Sequence, residues 1–74
     1  MSRLAPSGRE AVRALERLGF RLVRIEGSHH ILAKTGHPTV VVVPVHAKRT
    51  LKPGTLAGIL RQAGVTRARM ADLL

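Results

Sequence analysis

The stretch FRLVRIEGSHHILAK, residues 20–34, predicts two antiparallel β-strands joined by a tight turn. The dipeptide Gly27-Ser28 fits a two-residue turn of the II′ kind, which has glycine in its first position. A turn of this length places Glu26 and His29 opposite each other on one side of the hairpin and turns His30 toward the core. A turn longer or shorter by one residue would exchange the two histidines.

A helix is predicted ahead of this hairpin. Ser7 is a suitable N-cap, and Glu10 three residues later completes a capping box. Apolar residues then recur at helical spacing with arginines on the opposite face, and Gly19 is typical of the residue that follows a helix. Residues 1–6, ahead of the cap, are expected to be a loose tail.

Three strands are predicted, over residues 20–26, 30–34 and 39–44. The third contains four successive valines and ends at Pro44. A run of valines without alternation is typical of a strand with both faces covered. A chain of 74 residues has few helices with which to cover both faces. One valine face is therefore expected to be partly exposed or to bind a partner.

Two further helices are predicted, from Gly54-Thr55 to about Ala63 and over residues 67–74. The order of elements becomes α-β-β-β-α-α. This order describes an α+β fold in which a three-stranded antiparallel meander carries its helices on one face. The length of the chain predicts one domain, and the absence of cysteine excludes disulfides and Cys-based zinc sites.

The charge balance points to a polyanionic partner. Thirteen Lys and Arg stand against four Asp and Glu, a formal net charge of +9, although a basic surface without a specific partner is the simpler alternative. One Phe and no Tyr or Trp leave almost nothing on which bases could stack, so a nucleic acid would be bound through phosphates, 2′-hydroxyls and shape. No apolar run approaches the length of a membrane span, and a cytoplasmic location is expected.

His29 is the candidate catalytic residue. Imidazole can take and give a proton near neutral pH, and Glu26 across the hairpin is within reach to fix its tautomer. In the simpler alternative, His29 is a turn histidine without a catalytic role. The simpler alternative for His30 is a core or edge histidine. His29 and His30 are neighbours in a strand and point to opposite faces, so they cannot both bind one metal ion. His37, in a Gly-His-Pro turn, is expected to be solvated.

A basic loop precedes the second helix and forms the candidate phosphate-binding segment. The free backbone N–H groups and positive dipole end at the helix start favour an anion, and the cationic side chains add Coulomb attraction. A solvated run of charges is the alternative. His46 is open to three roles, a second proton-transfer group, a phosphate contact or a brace for the loop. The residues concerned are His46, Lys48, Arg49, Lys52, Gly54 and Thr55.

The chain contains a set of short motifs that together carry a family resemblance. They are Gly19-Phe20, Leu22-Val23-Arg24, Gly27-Ser28-His29-His30, Val42-Val43-Pro44-Val45-His46, Leu51-Lys52-Pro53-Gly54-Thr55-Leu56 and Ile59-Leu60-Arg61-Gln62-Ala63-Gly64. With these motifs the chain resembles the HicA family of toxins over residues 8–74. Members are mRNA interferases of type II toxin–antitoxin pairs.

The resemblance implies a fold like that of a double-stranded RNA-binding domain. It also implies a ribonuclease that needs no metal cofactor, acts on mRNA and uses the histidine after Gly-Ser, which falls on His29. A HicB-type antitoxin would cover the active surface. Two other hypotheses remain open, a non-catalytic RNA-binding module of the same fold and a small interaction protein for an acidic protein partner.

Overall fold

The computed structural model describes residues 4–74, which form three helices and three strands. The sheet is antiparallel with strand order β1-β2-β3, which confirms the predicted α+β meander. This order of elements is compatible with a fold like that of a double-stranded RNA-binding domain. The elements are α1 (Gly8–Arg17), β1 (Arg21–Glu26), β2 (His29–Ala33), β3 (Val41–Pro44), α2 (Pro53–Ala63) and α3 (Arg67–Leu73).

The helix ends follow the local sequence signals. Ser7 caps α1, because its Oγ accepts a hydrogen bond from the Glu10 backbone N–H at 3.1 Å while Glu10 Oε1 accepts from the Ser7 N–H at 2.8 Å. The predicted capping box is therefore confirmed. α2 begins one residue earlier than predicted, at Pro53, because the fixed φ of proline suits the first helical position. Gly64 ends α2 in the left-handed conformation, with φ 71°.

The hairpin turn has the predicted length and register. Gly27 has φ 60°, a conformation that glycine adopts without a Cβ penalty. Glu26 pairs with His29, and Ile25 pairs with His30. β2 begins one residue earlier than predicted because His29 also pairs with Pro44 of β3.

β1 contains a β-bulge that changes which side chains share a face. The register shifts between Leu22 and Arg24, and Val23 lies at the irregularity. Strict alternation would place Leu22 on the face of Arg24, but the bulge pairs Leu22 with Leu32 of the core instead. Leu22, Val23 and Ile25 are nevertheless 40%, 49% and 54% exposed, because β1 is an edge strand that the helices leave largely uncovered.

The third strand is shorter than predicted. It spans Val41–Pro44, and its first pair joins Val41 to Leu32, because residues 34–40 are needed to reverse the chain after β2. Val41 and Val43 are completely buried, whereas Val42 points to the other face and is half-buried. The expectation of one partly exposed valine face is confirmed.

The hydrophobic core lies between the sheet and the three helices. Its least exposed large side chains come from all three helices and from β2 and β3. None of the helices in residues 4–74 has the length and apolar character that crossing a membrane requires. The core residues are Leu15, Leu32, Val41, Val43, Leu56, Ile59 and Met70.

The segment before α1 is part of the packed structure. Residues 1–3 of the predicted loose tail lie outside the described residues. Pro6 is buried, and its carbonyl accepts a hydrogen bond of 2.8 Å from the Leu51 N–H. Ser7 forms a bridge with Thr50. The tail prediction is wrong for Pro6, because its backbone pairs with the loop that precedes α2, and Leu4 is partly buried against the core.

Candidate active site

His29 lies at the hairpin tip, where its side chain is exposed. It is the central residue of a row across the sheet, with Glu26 on one side and Pro44 on the other. His30 points to the opposite face and is half-buried against α1. The placement that the two-residue turn predicted for both histidines is confirmed, and the alternative register is excluded.

Glu26 does not orient His29 in this structure. Arg24 Nε donates a hydrogen bond to Glu26 Oε2, and the two charged groups form an ion pair. Residues 24 and 26 lie on one face of the same strand, so the arginine competes for the carboxylate. Among residues 4–74, His29 has no hydrogen bond to Glu26. The predicted contact is therefore corrected, although the two residues are cross-strand partners.

The basic loop is attached directly to the hairpin turn. The Val45 N–H donates a hydrogen bond of 2.7 Å to the Ser28 carbonyl, which continues the pairing of β2 with β3 beyond Pro44. Ser28 Oγ lies 3.5 Å from His46 Nε2. The turn that carries His29 therefore also holds the start of the basic loop and the imidazole of His46.

The loop reverses sharply after His46. The Arg49 N–H donates a hydrogen bond of 2.9 Å to the His46 carbonyl, which closes a turn. Ala47 within this turn has φ 48° and is the one non-glycine residue with positive φ among residues 4–74. Such a conformation costs free energy for a residue with a Cβ, and strain of this kind is found most often at functional sites.

A cationic cavity of about 290 Å³ lies between this loop and the start of α2. Lys52 is the N-cap of α2, its ammonium group has no acceptor with which to cap the helix, and the first turn of α2 contains no acidic residue. The backbone N–H groups at this helix end therefore remain available to an anion. The residues that line the cavity are Pro44, His46, Arg49, Thr50, Leu51, Lys52 and Thr55.

All the predicted loop residues except Lys48 lie in or beside the cationic cavity. His46, Arg49, Lys52 and Thr55 share the cationic cavity, and Gly54 is exposed beside it in the first turn of α2. Pro44 connects this cavity to His29, because Pro44 lines the cavity and is the cross-strand partner of His29.

Lys48 belongs to a neighbouring surface that the sequence did not predict. It lines a second cavity together with Arg9 at the start of α1. Arg9 also lines a third cavity with Arg13 and the half-buried His30. The sequence assigned Arg9 and Arg13 only to the solvent face of α1, because helical periodicity shows which face is polar and not what lies beside it.

These basic side chains carry unpaired charge. Within the described part of the chain, the ion pair between Arg24 and Glu26 is the only one found. Arg9, Lys48 and Arg49 therefore form no ion pair within residues 4–74, and the Glu10 carboxylate, which lines the second cavity, is bonded to the Ser7 N–H. Unpaired cations around one end of the sheet create the positive potential that attracts a polyanion.

His37 has a structural environment. Its ring meets the Phe20 ring edge-on, with centroids 5.1 Å apart and an interplanar angle of 75°. Its Nε2 lies 2.7 Å from the Gln62 carbonyl near the end of α2. The expectation that His37 is solvated is wrong, because the connection between β2 and β3 folds back onto α2.

His30 contains a buried polar atom without a partner. Its Nδ1 is buried and makes no hydrogen bond within residues 4–74. Buried polar atoms are usually hydrogen-bonded, so this atom is an exception within residues 4–74, where the fully buried side chains are apolar. The environment limits the access of the His30 ring to a substrate.

The fold and this site define a small basic α+β domain with an exposed histidine beside a cationic cavity. The family model described as the HicA toxin of bacterial toxin–antitoxin systems matches residues 8–65 of the chain. The chain therefore belongs to the HicA toxin family. The matched region begins at the first residue of α1 and extends past the end of α2, so it includes the hairpin and the basic loop. A search of curated proteins finds no match to the chain.

Proposed function

We propose that this toxin is a cytoplasmic endoribonuclease that cleaves mRNA by acid–base catalysis at His29 and needs no metal ion. The observation that carries the proposal is the exposed imidazole of His29 at the hairpin tip, one strand away from the cationic cavity. Family membership supports the toxin role.

The chemistry requires proton transfer at two oxygens of the RNA. The 2′-hydroxyl must lose its proton to attack the phosphorus, and the leaving 5′-oxygen must gain one. A positioned imidazole typically accelerates such steps by about 10²–10⁴-fold. Positioning and charge stabilisation must supply the rest of the rate enhancement.

The cationic side chains supply that positioning. Arg49 and Lys52, together with the N–H groups around Gly54 and Thr55, hold a phosphate in the cavity, and Lys48 holds a neighbouring one. Phe20, the one aromatic ring apart from the histidines, is only 3% exposed and cannot stack on a base. The RNA is therefore gripped through its backbone.

The turn residues position the catalytic histidine. Gly27 permits the tight turn through its positive φ, and Ser28 fixes the turn to the basic loop. Glu26 pairs with Arg24 and balances charge beside His29. His30 supports β2 from the face of α1.

The proposed protein partner is a HicB-type antitoxin. The exposed apolar side chains of β1 lie among the exposed Arg21 and Arg24 of the same strand and lead into the hairpin turn that carries His29. A surface that combines exposed apolar and basic groups suits a partner with apolar and acidic side chains. Such a partner would cover the active surface and neutralise the toxin.

Replacement of His29 tests the ribonuclease proposal. We expect His29→Ala to lower the cleavage rate by about 10²–10⁴-fold while the affinity for a 2′-O-methyl RNA, which cannot be cleaved, stays within about threefold of wild type, because the phosphate contacts remain. Folding is checked by circular dichroism and thermal unfolding. A wild-type protein that binds RNA without cutting it would favour the non-catalytic RNA-binding module. Cleavage by His29→Ala at the wild-type rate would refute the role of His29.

A further inference from the structure

The structure separates the four histidines of the chain into two pairs. His37 is hydrogen-bonded to the Gln62 carbonyl and packs against the Phe20 ring. His30 is half-buried, and its Nδ1 is not accessible to solvent. His29 and His46 are exposed. These two are therefore the imidazoles most open to a bound substrate.

The two exposed imidazoles are connected through one residue. Ser28 is the chain neighbour of His29, and its Oγ lies 3.5 Å from His46 Nε2. The hydrogen bond of 2.7 Å from the Val45 N–H to the Ser28 carbonyl fixes the backbone before His46 against the turn. A separation of 3.5 Å is long for a hydrogen bond, and such separations in catalytic sites often shorten when the substrate binds.

Cleavage of RNA by its own 2′-hydroxyl benefits from two proton-transfer groups. The attacking and leaving oxygens lie roughly in line, on opposite sides of the phosphorus. A proton-transfer group must be within hydrogen-bond distance of the oxygen that it serves. One imidazole at the hairpin tip cannot be at both oxygens in the same transition state.

We infer that His46 is the second proton-transfer group of the site and that Ser28 is its positioning residue, an assignment that rests on the proposed ribonuclease function. One imidazole of the pair accepts the proton of the 2′-hydroxyl as the bond from O2′ to phosphorus forms. The other donates a proton to O5′ as the bond from phosphorus to O5′ breaks. The products are a 2′,3′-cyclic phosphate and a 5′-hydroxyl, and solvent restores both imidazoles.

The surroundings of His46 fit this role. His46 lines the cationic cavity beside Arg49 and Lys52, which are placed to hold the non-bridging oxygens of the phosphate. Arg49 and Lys52 neutralise the negative charge of the phosphate, so the imidazole of His46 can exchange a proton with an ester oxygen. A histidine that served only as a brace would not need to line the cavity.

An RNA with sulfur in place of the leaving 5′-oxygen tests the division of roles. A thiol is far more acidic than an alcohol, so a thiolate leaves without a proton donor. On normal RNA we expect His29→Ala and His46→Ala each to lower kcat by about 10²–10⁴-fold with little change in the affinity for uncleavable RNA. On the sulfur-containing RNA, one of the two variants should recover most of its activity and the other should not.

The outcomes separate this inference from the proposed function. If His29→Ala is inactive but His46→Ala cleaves normal RNA at the wild-type rate, the inference fails and the ribonuclease proposal stands. A His46→Ala variant with raised KM, a reduced salt dependence of binding and normal kcat would make His46 a phosphate contact and overturn the inference. Rescue of neither variant, rescue of both, or products with a 5′-phosphate would also overturn it. A wild-type protein that cleaves no RNA would defeat both proposals.

The role of Ser28 has its own readout. We expect Ser28→Ala to lower kcat by about tenfold, Ser28→Thr to retain most of the activity because it keeps the hydroxyl, and KM to change little in both. The double variant Ser28→Ala/His46→Ala should be no slower than His46→Ala alone, because the two groups act in sequence. Additive losses in the double variant, or a loss in Ser28→Thr equal to that in Ser28→Ala, would show that Ser28 does not act through His46.

Discussion

Gly8 lies so close to Pro44 that a Cβ atom built on Gly8 would be 2.2 Å from the Pro44 carbonyl oxygen. Gly8 is the first residue of α1, and Pro44 is the last residue of β3. Pro44 is also the cross-strand partner of His29. The close approach at Gly8 therefore sets the distance between the start of α1 and the edge of the candidate site.

Gly8→Ala is expected to destabilise the protein by about 1–3 kcal/mol, because the clash is with backbone that cannot rotate away. Urea denaturation measures the loss. Gly54→Ala is the matched control, since Gly54 is also in the first turn of a helix and a Cβ there would meet nothing within 4 Å. Gly54→Ala should be neutral or slightly stabilising. Equal effects of the two variants would contradict the close packing at Gly8.

The proposed phosphate-binding side chains predict the salt dependence of RNA binding. The double variant Lys48→Gln/Arg49→Gln is expected to reduce the slope of log K against log salt by about 0.7–0.9 for each phosphate that is no longer neutralised. The affinity for uncleavable RNA, measured by fluorescence anisotropy between low and physiological salt, gives the slope.

A control with the same change in net charge separates specific phosphate binding from general attraction. Arg61→Gln/Arg69→Gln removes two exposed charges, one from the last turn of α2 and one from α3, and neither side chain lines the cationic cavity or the second cavity. This control should weaken binding slightly and leave the slope nearly unchanged. If both double variants lower the slope equally, the positive charge acts as a whole and the loop has no special role.

The helices and the hairpin could be predicted because their signals are local. Ser7 and Glu10 are three residues apart and cap their own helix, and Gly27 marks a turn whose length fixes the register of both strands. The exposure of His29 followed from that register alone. These local signals agree with the fold that the tertiary contacts complete.

The features that the sequence did not reveal depend on tertiary contacts or on competition between partners. The bulge near Val23 breaks the strict alternation that would place Leu22 on the face of Arg24. Arg24 forms an ion pair with the carboxylate of Glu26, which was predicted to contact His29. Arg9 comes beside Lys48 only when the start of α1 meets the basic loop. No pattern within one element carries that information.

The turn after His46 offers a test of local strain. Ala47→Gly should stabilise the protein by up to about 1 kcal/mol, because relief of the left-handed conformation outweighs the greater freedom of glycine in the unfolded chain. Thermal unfolding measures the gain, with Ala57→Gly in the exposed interior of α2 as the control, which should lose about 1 kcal/mol. Destabilisation by Ala47→Gly would show that the turn is not strained.

His37 provides the contrast between a structural histidine and a functional one. His37→Ala removes an aromatic contact with Phe20 and a hydrogen bond to the Gln62 carbonyl, and we expect it to cost about 1–3 kcal/mol. For a domain of this size, each kcal/mol lowers Tm by about 4–8 °C. The exposed neighbour Thr35, replaced by Ala, should change stability by less than about 0.5 kcal/mol. Well below its Tm, His37→Ala should cleave RNA at the wild-type rate per folded molecule, because the ring is held against α2 and cannot reach the substrate. A large loss of kcat with unchanged Tm would place His37 in the catalytic machinery and contradict the assignment of the site to the hairpin and the basic loop.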